Sequence, residues 1–399
     1  MPAARPALLA AAFAAGLNCT PQPALRPSVD PARLDPWSPV THYLDSAIAA
    51  GAAPGAVLGV SYRGRRFVYG TGRLGTEDPT RPDSATVYDL ASLTKVIGLT
   101  TMVMLAVDEG RLDLDAPVQQ YVPAFRGTNK PLVTLRHLLT HSSGLPAWRP
   151  LYQETATRAA ALALADTTPL DTLPGARYLY SDLGAIVLTQ AVEAVYGTRL
   201  DSLLADRVFG PLDMNSTRYL PPASWLPRIA PTENDPWRGR VVRGEVHDEN
   251  AYRLGGVSGH AGLFSTAPDL LRFGEWLLLA DHRTGGPAAG STPVMPATIA
   301  SLHGETVREF LRRQNLPPGS SRALGWDTPS PNSSAGTRLS DASFGHTGFT
   351  GTSIWIDPEQ DLVIVLLTNR VNPTRENRKI YAVRRGVADR VVEEVESQK

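Results

Sequence analysis

One cysteine, four lysines, no net charge and no long unbroken apolar run define this 399-residue chain by what it lacks. The lone Cys19 excludes an internal disulfide framework, a four-thiolate zinc site and a Cys-x-x-Cys redox pair. A balance of 39 basic against 39 acidic residues removes the basic surface that a nucleic-acid partner would need. No apolar stretch reaches the roughly 18 residues of a membrane-spanning helix, so none is expected. Gly256-Val-Ser258-Gly-His260 comes nearest to the G-x-S-x-G nucleophile elbow but ends in histidine. H-E-x-x-H is absent, and the eight histidines are scattered. Gly70-Thr-Gly72 lacks the Gly-Lys-Ser/Thr ending of a phosphate-binding loop. No metal or organic cofactor is implied.

Hydrophobic residues make up 42 % and charged residues 20 %, which supports a packed core and a length of about two to three domain equivalents. Residues 1–37 read as an export signal and tether. Arg5 precedes the apolar Ala7 to Leu17, small residues (Ala12, Ala14, Gly16) offer cleavage positions, and six prolines between Pro21 and Pro39 suit an extended segment. Three outcomes stay open for this segment: secretion, a lipid anchor at Cys19, against which Asn18 speaks, or a cytoplasmic alanine-rich start. No apolar tail follows Val387 to Lys399, so no C-terminal anchor is expected.

The remainder, 38–390, reads as one folded domain. Val40 to Ala50 predicts a helix stopped by Gly51, and Val57 to Tyr62 with Arg66 to Gly70 predicts a hairpin through Gly64. Ser353 to Ile356 and Leu362 to Thr368 predict a second pair, with Leu362 to Leu367 apolar enough to be buried on both faces. The expected architecture is therefore α/β (α+β), a central antiparallel sheet built from both ends of the chain and flanked by helices. Its sheet subdomain would span about 38–98 and 291–390. A mostly helical insertion, about 99–290, would contain helices near Leu99 to Glu109, Arg158 to Leu164, Ala185 to Val195 and Pro268 to Ala280, returning through Asp281 to Pro296.

Chemistry concentrates in three places. In Asp89-Leu-Ala-Ser92-Leu-Thr-Lys95, Ser92 and Lys95 are three apart and share a helix face. A serine needs a neighbour to take its proton, and a lysine does so once desolvation or nearby charge lowers its pKa. Leu90, Ala91, Leu93, Val96 and Ile97 supply apolar flanks, and in a chain that otherwise writes arginine a lysine stands out. Tyr180-Ser-Asp182 offers a phenol as proton relay and Asp182 as either a helix cap or a site residue. Gly345-His346-Thr347-Gly348-Phe349-Thr-Gly351 leads into a strand, with glycines that let backbone N–H groups approach a ligand.

In this order and spacing the three pieces resemble the serine β-lactamase and penicillin-binding-protein superfamily, in its class C-like β-lactamase, esterase and D-stereospecific peptidase branch. Its S-x-x-K, Y-x-N and K-T-G motifs read here Ser92-Leu-Thr-Lys95, Tyr180-Ser-Asp182 and His346-Thr-Gly348. Leu138 to Leu145, Asp108 to Leu112, Gly262 to Thr266 and Leu324-Gly-Trp326 look similar as well, and the likeness spans about residues 38–385. It implies acyl transfer through a Ser92 ester, with Lys95 and Tyr180 sharing acid–base work, either of them taking the first proton. The amides of Ser92 and Phe349 would bind the oxyanion. Asp182, His346, Thr347, Gly348 and Trp326 would contact a small-molecule or peptide substrate. Asp182 in place of asparagine favours a charged Lys95, and His346 in place of lysine puts carboxylate recognition in question. Turnover of an ester, amide or β-lactam is the leading expectation, acylation by penicillin without turnover the alternative. Asp89, His141, Ser258 and His260 read as turn, cap or packing residues.

Overall fold

The computed structural model describes residues 36–281, 302–331 and 333–398. The leader with Cys19 and all but the first residue of the expected return loop lie outside them. Helix α1 (Ser38–Ala49) carries Pro39 in its first turn, buries Val40, Thr41 and Leu44, and ends ahead of Gly51, whose φ is +80°. Strands β1 (Gly55–Tyr62) and β2 (Arg65–Gly72) follow as an antiparallel hairpin. Its two turn residues, Arg63 and Gly64, both have positive φ, the twist a two-residue hairpin requires.

The sheet is completed from the far end by β3 (Phe344–Thr347), β4 (Ser353–Asp357) and β5 (Leu362–Thr368), in the order β2-β1-β5-β4-β3. All pairings are antiparallel, and β5 lies beside β1 with Ala56 opposite Thr368 and Tyr62 opposite Leu362. Alternation along β5 explains its unbroken apolar run. Val363, Val365 and Leu367 join the main core, whereas Leu362, Ile364 and Leu366 pack with α1 and the closing helix α5 (Ile380–Ser397).

The helical region holds α2 (Thr101–Asp108) and α3 (Asp182–Tyr196), as the periodicity predicts. The helix expected at Pro268 to Ala280, here α4 (Ala267–Asp281), packs on β1 and β5 of the sheet and not within the insertion. Leu270, Leu271 and Phe273 on α4 share one core with Val57 and Val363, so the sheet is covered on both faces. Ahead of α2, a 3₁₀ turn (Ala91–Leu93) and a π turn (Lys95–Thr100) make one helical run from Ala91 to Asp108. That run has the length and apolarity of a membrane span, but it is mostly buried inside the protein and serves as the central core helix.

Lys130 is the second buried lysine. Its ammonium donates to the Asp166 carbonyl and lies 4.4 Å from the centre of the Phe125 ring. Burial pushes its pKa down to about 8, with the Asp166 charge opposing. Between pH 8 and about 10.4 the unfolded chain therefore holds a proton that the folded chain has released, and stability rises with pH in that window. Below pH 8 both states are protonated and the contribution is flat. Lys130→Met should remove this rise, so the wild-type Tm should climb relative to that of the variant from pH 7.5 to 10.5. Parallel Tm profiles would assign the burial no titration.

Candidate active site

Ser92 stands on a strained turn that Asp89 holds in place. The buried Asp89 carboxylate accepts the N–H groups of Ala91 and His247, both at 2.7 Å, and burial raises its pKa. Ala91 has φ +46°, a left-handed conformation that a non-glycine residue keeps only when its surroundings impose it. Ser92 follows at the start of the core helical run, and Lys95 lies one turn on, fully within the protein.

The Lys95 Nζ donates to Ser92 Oγ at 3.1 Å and to the His260 carbonyl at 3.0 Å, and pairs with Asp182 Oδ1 at 2.6 Å. Two hydrogen bonds and one ion pair thus hold the ammonium in place. Burial pulls the Lys95 pKa down, but the Asp182 charge and Tyr180 outweigh it and the net shift is upward. The expected depressed lysine is thus not what the resting site contains. Lys95 is a charged ammonium, because Asp182 faces it.

Asp182 is not the helix cap. Ser181 fills that place, its Oγ accepting the Gly184 N–H at 3.2 Å, and Asp182 is the first residue of α3. Tyr180, two residues earlier, has its ring centre 4.9 Å from Lys95 Nζ. Its hydroxyl is buried with no hydrogen-bond partner among the described residues. Behind it, the buried His141 packs at 4.4 Å and accepts the Ser181 N–H at Nδ1. Burial, then the charges of Arg322 and Lys95, hold His141 well below the ordinary histidine range, so it is neutral and orients this segment. Ser258 and His260 are also supports: His260 Nδ1 lies 2.7 Å from Ser258 Oγ, its Nε2 2.9 Å from Asp248, and its carbonyl receives Lys95.

The third motif forms β3 and the turn after it. His346 Nδ1 is 2.9 Å from the Thr347 carbonyl, which only accepts, so Nδ1 carries the proton and Nε2 is bare. Burial, then Arg322 and Lys95, keep His346 uncharged, and its buried Nε2 has no partner among the described residues. A Cβ on Gly348 would meet Thr352 Oγ1 at 2.1 Å and the Leu90 carbonyl at 2.3 Å, so only glycine fits. Thr350 donates to the Asp89 carbonyl at 2.7 Å and Thr352 to the Leu90 carbonyl at 3.0 Å. These two hydrogen bonds tie the Phe349 turn to the Ser92 turn.

Ser92, Tyr180, His346, Thr347, Gly348 and Phe349 line one cleft, as the motifs predict. Trp326 does not. It is 2 % exposed and packs edge-on to Phe344 at 5.1 Å and against Phe273, as core beneath β3. Its neighbours Arg322 and Asp327 line the cleft instead. The Arg322 guanidinium lies 3.7 Å from Asp327 and over the Tyr178 and Tyr180 rings, with Nη1 buried and without a partner among the described residues. Sequence reasoning passed over Arg322, Arg370 and Arg384, all of which border the cleft, because arginine carries no contrast in this chain.

The family model Beta-lactamase matches residues 40–388. A protein of Escherichia coli (strain K12) named "Putative D-alanyl-D-alanine carboxypeptidase" is 33 % identical over 325 residues, covering 74 % of this chain and 71 % of that protein. Among solved structures, a penicillin-binding protein homologue from Caulobacter crescentus aligns with a TM-score of 0.70 at 18 % identity, over 89 % of this chain and 97 % of that one. A class C β-lactamase from Rhodobacter sphaeroides gives 0.66 at 22 % identity, over 88 % and 99 %. These two likenesses concern the fold.

Proposed function

The chain belongs to the β-lactamase family, and from that premise we propose that this serine hydrolase cleaves the amide bond before a terminal residue bearing a free carboxylate, as in a D-alanyl-D-alanine peptide. The observation that carries this reading is one cleft lined by Ser92, which accepts a hydrogen bond from Lys95, and by Arg322, whose buried Nη1 has no partner among the described residues. A buried guanidinium nitrogen without an acceptor is costly, and a carboxylate satisfies it bidentately. Arg322 thus supplies the positive charge that the neutral His346 does not. The carboxypeptidase name of the Escherichia coli relative supports the same substrate class. The apolar Ala7 to Leu17 segment fits an exported protein.

In the proposed reaction Ser92 Oγ attacks the carbonyl and its proton passes into the Lys95, Tyr180 and Asp182 group. The amides of Ser92 and Phe349 hold the oxyanion, and the departing amine leaves protonated. Water then attacks the Ser92 ester and restores the serine. Neutral His346 offers Nε2 as an acceptor for a substrate N–H.

The test is hydrolysis of an N-acylated D-alanyl-D-alanine peptide, its C-terminal amide and p-nitrophenyl acetate, with benzylpenicillin followed by intact mass. Wild type should prefer the free carboxylate, and Ser92→Ala should turn over none of them. Arg322→Met should raise KM for the carboxylate peptide by about tenfold to a hundredfold, the worth of a charge-assisted hydrogen bond, and leave the ester unchanged. Equal rates on acid and amide would overturn the carboxylate assignment. A persistent penicillin adduct with no peptide turnover would make the protein an acylated binder.

A further inference from the structure

Both carbonyls that flank the Phe349 N–H are held by buried arginines. Gly348 O accepts from Arg384 Nη2 at 2.6 Å and from the Gly351 N–H at 3.1 Å, and Phe349 O accepts from Arg370 Nε at 2.8 Å. Arg384 Nη2 also donates to Thr352 O at 2.8 Å, closing the turn. The Phe349 N–H itself has no acceptor among the described residues. In a trans peptide the C=O and the next N–H point in opposite directions. Drawing Gly348 O toward α5 therefore turns the Phe349 N–H away from α5.

Neither guanidinium has a carboxylate partner within ion-pair distance among the described residues, although Arg384 is 5 % and Arg370 2 % exposed. Arg370 Nη1 donates to the carbonyls of Arg375 and Asn377, and Arg384 Nε has no partner among the described residues. Two uncompensated buried cations are expensive unless an anion forms beside them. Burial and the Arg370 charge push the Arg384 pKa down, which fits a site short of negative charge. Gly348, Phe349, Arg370 and Arg384 border the cleft that Ser92 opens into.

We infer that Arg384, seconded by Arg370, is the positioning residue of the oxyanion site: it fixes the Gly348–Phe349 peptide so that its N–H faces the developing oxyanion, and places positive charge behind it. The inference rests on acylation at Ser92. Its consequence falls on the transition state and not on substrate carboxylates.

Two measurements on the full chain test it. With p-nitrophenyl acetate, which has no carboxylate, Arg384→Met should lower kcat by about 10- to 100-fold with KM within about twofold, less than the loss of a whole oxyanion donor. Arg384→Lys, which keeps the charge and one donor direction, should recover part of that loss, and it serves should the methionine variant fail to fold. Phenylboronic acid, which takes the Ser92 oxygen as a fourth boron ligand and becomes a tetrahedral anion, should bind Arg384→Met more weakly by a similar factor. Unchanged kcat with unchanged boronate affinity overturns the inference. So does a loss confined to KM for carboxylate peptides, which would make Arg384 a substrate-binding residue. Ester turnover that persists in Ser92→Ala overturns the reading of the site itself, while the boronate affinity still reports on Arg384. Failure of the wild type to bind the boronate at Ser92 overturns both.

Discussion

Lys95→Arg should leave no more than about 1 % of wild-type kcat/KM on every substrate the enzyme hydrolyses, a loss within the 10²- to 10⁴-fold of general acid–base catalysis. The substitution keeps the positive charge, so the attraction to Asp182 persists while the proton chemistry is lost. Arginine does not deprotonate in a protein and cannot receive the Ser92 proton at any stage. Its planar fork is also longer than the ammonium that reaches Ser92 Oγ, His260 O and Asp182 from one nitrogen. Ser92→Ala removes the covalent route and should cost about 10⁴-fold or more. Initial rates on p-nitrophenyl acetate and on the D-alanyl-D-alanine peptide check both, with Tm confirming the fold. Lys95→Arg activity within tenfold of wild type would place proton transfer on Tyr180 or Asp182 alone, and Tyr180→Phe would then separate them.

Much of this arrangement was legible because it follows from local patterns. The continuous run Leu362 to Leu367 demanded burial on both faces, and β5 receives it between α4 on one side and α1 with α5 on the other. Ser92 and Lys95 share a face by helical spacing even though the backbone there mixes 3₁₀ and π turns. What failed was direction in space. Ser181 and Asp182 are both good N-caps, and sequence could not tell which one caps; the Ser181 N–H bond to His141 and the proximity of Lys95 settle it. Trp326 sits in a stretch that borders the cleft, but its face depends on Phe344 across β3. The helix at Ala267–Asp281 has an amphipathic pattern that suits either a helical layer or a sheet face, and its partners Val57 and Val363 are distant in sequence. Arg384 is one of many arginines, distinguished only by the carbonyls it reaches.

Asp182→Asn should move the acid limb of the kcat/KM profile to lower pH by about one unit or more, the scale of a nearby opposite charge. In the proposed reaction the active form has lost the proton that Lys95 carries at rest. The Asp182 carboxylate, 2.6 Å from Nζ, stabilises the form that still holds it and raises the Lys95 pKa against the pull of burial. Asparagine keeps an oxygen acceptor at that place and removes the charge. Lys95 then releases its proton more readily. On the acid side of the wild-type limb the variant should therefore be faster, up to about tenfold per unit of displacement, and near wild type on the plateau. Rates on p-nitrophenyl acetate between pH 5 and 9 read this directly. A limb that stays in place means that proton loss from Lys95 is not what the acid limb reports. Activity lost across the whole pH range would mean that Asp182 itself is the group that must be charged, receiving the proton that Ser92 gives up through Lys95.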